Sequence, residues 1–365
     1  MINLHFFPSW RLAWYLARSF LVRSLAVLMG LVVVLMMLDL LGESGDILAA
    51  PGNGEAELWR YAGLRIPQLI ERFMPFALLL GTLITLATMN QNSEIISMKA
   101  AGISAHQIIA PLIATSLLVA AGNFVFNERI VTRATAALNA WEDVDYGNVP
   151  PASGTQTNIW IRQGDDLIFT RRVIGSGAGT RLEDITVYDR SGGTLQGILT
   201  AQAGRYLGPG WELTGTRRFD VDSGAVVERQ RLIIGAEIDP IQFTLASVDP
   251  QEQDFWTLRR SIDELERAGR SIRSAESNYW HKLSGPLSGV LMPLLAAVAA
   301  FGLARSGQLF MRAVLGMGLG FSYFVADNFA LAMGNFGAYP PTLAAWGPFI
   351  LFLLIGETVL VRTEE

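Results

Sequence analysis

The sequence predicts an α-helical membrane protein with six transmembrane helices, three before and three after an inserted all-β domain of sandwich or jelly-roll type. Three observations predict it. Apolar residues make up 51% of 365 and mean hydropathy is +0.33, although a long central stretch is polar. The apolar residues are therefore concentrated outside that stretch, as in a membrane protein. Six segments approach the roughly 20 apolar residues that cross a bilayer. Between the third and fourth, short alternating runs are punctuated by turn residues.

The six apolar segments run approximately Phe20–Leu41, Pro67–Met89, Ile108–Phe126, Leu283–Leu303, Ala313–Met333 and Leu343–Val361. The first is too long for a signal h-region and lacks a small-x-small site after it, so it should remain as an anchor. Positive residues in short flanks set orientation. A cytoplasmic N-terminus places Arg11, Arg18, Arg23, Lys99, Arg305, Arg312 and Arg362 on the cytoplasmic side, and the inserted domain in the periplasm. The expected division is 1–127 for helices one to three, 128–278 for the β domain and a following helix, and 279–365 for helices four to six.

Within the insert, period-two alternation occurs in Asn158–Arg162, Asp184–Tyr188 and Trp211–Leu213. Gly164-Asp165, Ser191-Gly192-Gly193, Gly208-Pro209-Gly210 and Asp222-Ser223-Gly224 read as turns. The inward positions Ile159, Ile161, Ile185 and Val187 are expected to line an apolar groove. Thr257–Ala268 reads as an amphipathic helix with Leu258, Ile262 and Leu265 on one face, ended by Gly269.

Several chemistries are excluded. Cysteine is absent, so there is neither a disulfide nor a thiolate metal site. His5, His106 and His281 have no ligand spacing. Ser284 lies near His281, but no sequence neighbour supplies an orienting carboxylate. The only lysines are Lys99 and Lys282, neither preceded by glycine, so there is no Walker A loop. A net charge of −5 without a basic stripe argues against nucleic acid.

The segment joining spans two and three is the most informative. In a short helix at about 92–102, Asn92 or Ser93 can cap, and Glu94 suits the positive end of the dipole. Ile95 and Met98 share a side, and Gly102 stops the helix. Such a helix is too short to be stable alone and must pack on something. It is either an interfacial turn or a coupling helix, comprising Ser93, Glu94, Met98, Lys99, Ala101 and Gly102, that docks into a cytoplasmic subunit. Asp39 and Asp327 lie in or at the edge of apolar spans, where an unpaired carboxylate is costly. Asp39 is expected at the outer interface, and Asp327 bonded to a hydroxyl or amide.

These residues, in this order, resemble the LptF/LptG permeases of lipopolysaccharide export. The resemblance covers essentially the whole chain. It rests on Ser93-Glu94 … Met98-x-Ala100-x-Gly102, Pro67 … Phe73-x-Pro75, Trp280-x-Lys282 … Pro286-Leu287-Ser288, Gly318-x-Gly320-Phe321 … Asp327, and Tyr339-Pro340-Pro341. Asp39 together with Asp327 favours the LptG side of the family. It implies a non-catalytic half-transporter of the inner membrane that extracts lipopolysaccharide. The implied partners are a paralogous LptF-like permease, a dimeric LptB-like cytoplasmic ATPase that uses ATP and Mg, a single-span LptC-like protein and an LptA-like bridge; no cofactor is expected on this chain. Arg65, Arg72, Arg129 and Arg133 are the candidate headgroup cations, with Phe321 and Phe324 as apolar contacts; paired with Glu71 or Glu128, the arginines would be ordinary interfacial anchors. Lysines common after the span-one aspartate are Gly42 and Glu43 here, and Gln68 stands where a basic residue is frequent. Another lipid or lipoprotein extractor, or a non-transporting scaffold, are the competing readings.

Overall fold

The computed structural model describes residues 8–148, 155–175, 179–191, 194–208, 210–234, 238, 240, 243, 249–267, 270–302 and 309–362. Gly192, Gly193, Pro209, Ala268, Gly269, Arg305 and His5 lie outside them. The chain divides into two compact units, one of Met1–Ala140, Pro250–Arg259 and Ile272–Glu365, the other of Trp141–Asp249 and Arg260–Ser271.

The first unit is helical: α1 Trp10–Ala49, α2 Glu55–Gln91, α3 Glu94–Ala100 and α4 Ala105–Phe126, then a π-helical turn Asn127–Val131 and α5 Thr132–Glu142. After the strands come α6 Phe255–Arg267, whose residues from Arg260 on belong to the second unit, and then α7 Arg273–Gly302, α8 Leu309–Asn335 and α9 Pro341–Arg362 of the first. Six of these helical stretches are long and apolar enough to cross a membrane. The helices outrun their apolar stretches. α1 has 40 residues, about 60 Å at 1.5 Å per residue, against a hydrocarbon core of about 30 Å.

Ser9 caps α1 through Leu12 N–H, and Ser104 with Gln107 forms a capping box at α4. Pro67 and Pro75 lie inside α2, where they interrupt its backbone ladder without ending it. Leu78, Leu79, Leu83, Leu86 and Met89 of α2 pack with Ile108, Ile109 and Leu112 of α4 and Leu291, Leu294 and Leu295 of α7. Small residues let the helices approach, as expected where lipid supplies no hydrophobic drive. A Cβ added to Gly289 would lie 2.8 Å from Leu78 Cδ1.

The second unit holds one antiparallel sheet of six strands in sequential order: β1 Thr155–Gln163, β2 Asp166–Ile174, β3 Arg181–Ser191, β4 Thr194–Tyr206, β5 Trp211–Asp220 and β6 Val226–Ile234. This is the inserted β domain. Gly164 turns β1 into β2 with φ 62°, and Gly224 serves β5 and β6 with φ 66°.

The expected alternation holds within each half of the sheet and then inverts along a line. Thr170, Ile185, Ala201 and Thr216 point inward on one side of it; Val173, Leu182, Gly204 and Leu213 do so on the other. Between them β2, β4 and β5 each place two successive residues off the interior, at 171–172, 202–203 and 214–215. Asp184 (φ 52°) and Gly215 (φ 66°) take up the left-handed backbone this requires. The Thr170 hydroxyl donates to Glu183 O at 3.0 Å and the Thr216 hydroxyl to Arg229 O at 2.8 Å, satisfying carbonyls beside the break.

Ile159, Ile161, Ile185 and Val187 all point inward but are only 3%, 4%, 2% and 8% exposed. They pack with Trp211, Leu213 and Phe243 as a filled core. The positions expected to line a groove thus form a packed interior in this structure. Inward apolar side chains pack against one another unless a ligand separates them.

Candidate functional site

At the turn between α2 and α4, Ile95 and Met98 bury one side of α3 in the apolar core. Gly102, at φ 83°, closes the helix: Ile103 N–H donates to Met98 O at 3.0 Å and Gly102 N–H to Lys99 O at 3.0 Å, a Schellman arrangement. Ser93 differs from expectation. Its backbone is left-handed at φ 60° and its side chain makes no cap bond, because a cap residue needs extended backbone to aim its oxygen at the first turn. Glu94 instead accepts from Tyr15 OH of α1 at 3.0 Å and from Asn92 Nδ2 at 3.4 Å. Ile96, 62% exposed, stands out with Lys99, Ala101 and Gly102 on the solvent side. The arrangement is an outward-facing knob on an apolar anchor.

A second polar group joins α1 to α2. Arg65 grips Asp39 with two bonds, Nε to Oδ2 at 2.9 Å and Nη2 to Oδ1 at 3.1 Å. Tyr61 OH donates to Asp39 Oδ2 at 2.8 Å, and Arg65 Nη1 to Gln68 Oε1 at 2.8 Å. Asp39 is thus compensated within the helix pair rather than by reaching the interface alone. Arg65 is committed to it. Gln68 accepts from the arginine.

A third group surrounds the π-helical turn. Asn127 Nδ2 donates to Glu71 Oε1 at 2.8 Å. Lys282 Nζ of α7 lies 3.5 Å from Asn127 Oδ1 and 3.6 Å from Glu128 Oε1. Glu128 Oε2 also accepts from Phe255 N–H, the first residue of α6. Glu71 and Glu128 therefore take their hydrogen bond and ion pair from Asn127 and Lys282, and among the described residues make neither with Arg72, Arg129 or Arg133. Arg72, Arg129 and Arg133 are exposed, and Arg129 and Arg133 form no ion pair with another described residue.

Nearby, His281 Nε2 lies 3.0 Å from Asp327 Oδ2, joining α7 to α8. The expectation of a hydroxyl or amide partner for Asp327 is corrected: the partner is an imidazole nitrogen. Asp327 supplies the carboxylate that the sequence around His281 and Ser284 lacked. Ser284 Oγ, however, is buried without a hydrogen-bond partner, so no nucleophile is attached to the pair. Phe324 packs edge-on against Phe76 at 5.1 Å, whereas Phe321 is 60% exposed.

Tyr15, Tyr61, Asn127, Lys282 and His281 were missed as site residues. Their partners lie between 22 and 155 positions away in sequence. The usable signal was the presence of uncompensated carboxylates in apolar spans, each of which demands a partner.

The family described as lipopolysaccharide export system permease LptF/LptG matches residues 14–362. The LptG permease protein of Escherichia coli (strain K12) is 25% identical over 309 residues, covering 83% of this chain and 84% of the relative. The LptG permease protein of Haemophilus influenzae is 25% identical over 361 residues, covering 96% and 98%. With six candidate spans around a six-stranded insert, the chain belongs to the LptF/LptG family of lipopolysaccharide export permeases.

Proposed function

We propose that this chain is the LptG-type half of an ATP-driven exporter that extracts lipopolysaccharide from the inner membrane. Its β domain lies in the periplasm and its termini in the cytoplasm. It pairs with an LptF-like permease and a dimeric LptB-like ATPase, and passes lipid to an LptC-like protein and an LptA-like bridge. ATP and Mg are used by the ATPase. Arg72, Arg129 and Arg133 meet the phosphates of the lipid headgroup, where a guanidinium can grip phosphate at two points. Arg65, held by Asp39, contributes to the scaffold of that rim.

The observation that carries this reading is α3, a helix too short to stand alone, anchored by Ile95 and Met98, with Ile96 and Lys99 exposed on its outer side and Glu94, held by Tyr15 OH, half-buried beside them. That is the form of a knob for a separate subunit's groove. The test is co-purification of the ATPase with Glu94→Lys. Loss of a charge-assisted bond worth about 1.5–3 kcal/mol weakens the contact about 10- to 100-fold, while insertion of the chain is unchanged. Wild-type ATPase association and transport from a well-expressed Glu94→Lys chain would leave α3 as an interfacial turn.

A further inference from the structure

We propose that the outer face of the β domain carries a glycan site, a polar groove with an aromatic wall that takes the oligosaccharide of lipopolysaccharide. The inference rests on the proposed function and adds a site for the part of the substrate that is not lipid.

Residues directly opposite one another on antiparallel strands share a face of the sheet. One such row crosses all six strands: Trp160, Phe169, Thr186, Thr200, Arg217 and Glu228. Its chain neighbours Ile161, Ile168, Ile185 and Val187 point into the packed interior, so the row lies on the outer face. A groove of about 730 Å³ takes in the row from Phe169 to Glu228, a volume in the range of small-molecule sites. It follows the line where the inward face inverts, and Gly215 on that line leaves room for Gln202. A Cβ there would lie 2.9 Å from Gln202 Cδ.

The lining is what a sugar needs: ring faces for its C–H groups and planar, many-membered hydrogen-bonding side chains for its hydroxyls. Trp160 is 53% exposed, stacks with Tyr188 at 5.8 Å and lies 4.8 Å from Phe169, which carries this aromatic wall into the groove. Arg171 Nε is 3.7 Å from Asp184 Oδ2 and Arg217 Nε 3.8 Å from Glu228 Oε1. Both pairs are exposed and longer than hydrogen bonds, so their donors and acceptors remain open to a ligand. With Arg229, three arginines face two carboxylates, a balance suited to a phosphorylated saccharide. An acyl chain gains nothing from such a lining, and the apolar face of the sheet is already packed. A protein partner would bury the charge pairs at a desolvation cost; a hydrated glycan leaves them in water.

The test uses the assembled, detergent-purified complex, titrated in a calorimeter with lipopolysaccharide freed of all its acyl chains. The parent is expected to bind this soluble probe. Thr200→Tyr, which fills the groove from an exposed strand position, is expected to weaken it about tenfold or more. Trp160→Ala/Arg217→Ala, which changes only exposed side chains, is expected to do the same, and both variants to capture intact lipopolysaccharide as the parent does. A parent that captures intact lipopolysaccharide but not the probe, or variants that bind the probe unchanged, would overturn the groove inference alone. Complete displacement of the probe by an equal concentration of inorganic phosphate would make the groove an anion site and overturn it too. So would a photo-crosslinking residue at Thr186 that captures a protein subunit and no glycan during transport. A complex that captures neither intact nor deacylated lipopolysaccharide overturns the proposed function, and this inference with it.

Discussion

The arginines near the start of α2 and beyond α4 are alike in sequence and different in physics. Arg65 is bonded twice to Asp39, with side chains 31% and 21% exposed, and Asp39 also takes the Tyr61 hydroxyl. Arg129 and Arg133 have no such partner among the described residues. Arg65→Leu should therefore destabilise the solubilised protein by about 1.5–3 kcal/mol, the scale of charge-assisted bonds left with one partner. Asp39→Leu/Arg65→Leu should be less destabilised than the sum of the singles, because no charge is stranded. Arg129→Gln and Arg133→Gln should stay within about 0.5 kcal/mol of the parent. Thermal unfolding in detergent checks all of these. Equal losses at Arg65 and Arg133 would remove the distinction between scaffold and ligand arginine. Nothing local separates these residues; the difference is a carboxylate 26 positions away.

At the scale of the element, α6 begins two residues before the stretch that reads as helical. Asp254 caps it: the Thr257 N–H donates to Oδ1 at 2.8 Å and the Thr257 hydroxyl to Oδ2 at 3.0 Å. The backbone bond, the largest influence, holds the Asp254 carboxyl below its usual value. Asp254→Ala should cost about 0.5–2 kcal/mol of local stability, seen as faster hydrogen exchange at Thr257 and Leu258. Because the folded pKa is depressed, the contribution is full above the unfolded pKa of about 3.9 and lost as pH falls through the folded value. Unchanged exchange in Asp254→Ala would show that packing alone defines the helix start. The cores of the spans were legible because an apolar window needs only length and composition. Their ends were not, because helices continue where hydropathy drops. The strands of the β domain were legible locally from period two. The line where its inward face inverts was not, since it depends on matching breaks in neighbouring strands. Likewise, Ser93 and Gly102 both looked like helix terminators, but only Gly102 behaves as its type predicts, because φ > 0 is natural to glycine and strained for serine.

For the whole molecule, the arginine bias and the parity of the candidate spans are the support for the proposed orientation. Three candidate spans precede the β domain, so the proposed orientation has the α2–α4 turn with Lys99 on the side of the N-terminal Arg11 and Arg18 and the insert on the other. Positive residues in short flanks tend to be retained on the cytoplasmic side, and the proposed function, with the β domain in the periplasm and α3 facing a cytoplasmic ATPase, rests on that tendency. The absence of native cysteine makes this measurable. Asp222→Cys, in the exposed turn between β5 and β6, should react with an impermeant thiol reagent added to cells whose outer membrane alone is permeabilised. Gln91→Cys, exposed at the end of α2, should react only after the inner membrane is opened. Neither substitution enters a packed interior, so expression should match the parent, and total labelling in detergent provides the denominator. The reverse pattern would move α3 to the periplasm, away from any ATP-hydrolysing subunit, and overturn the coupling role with the orientation.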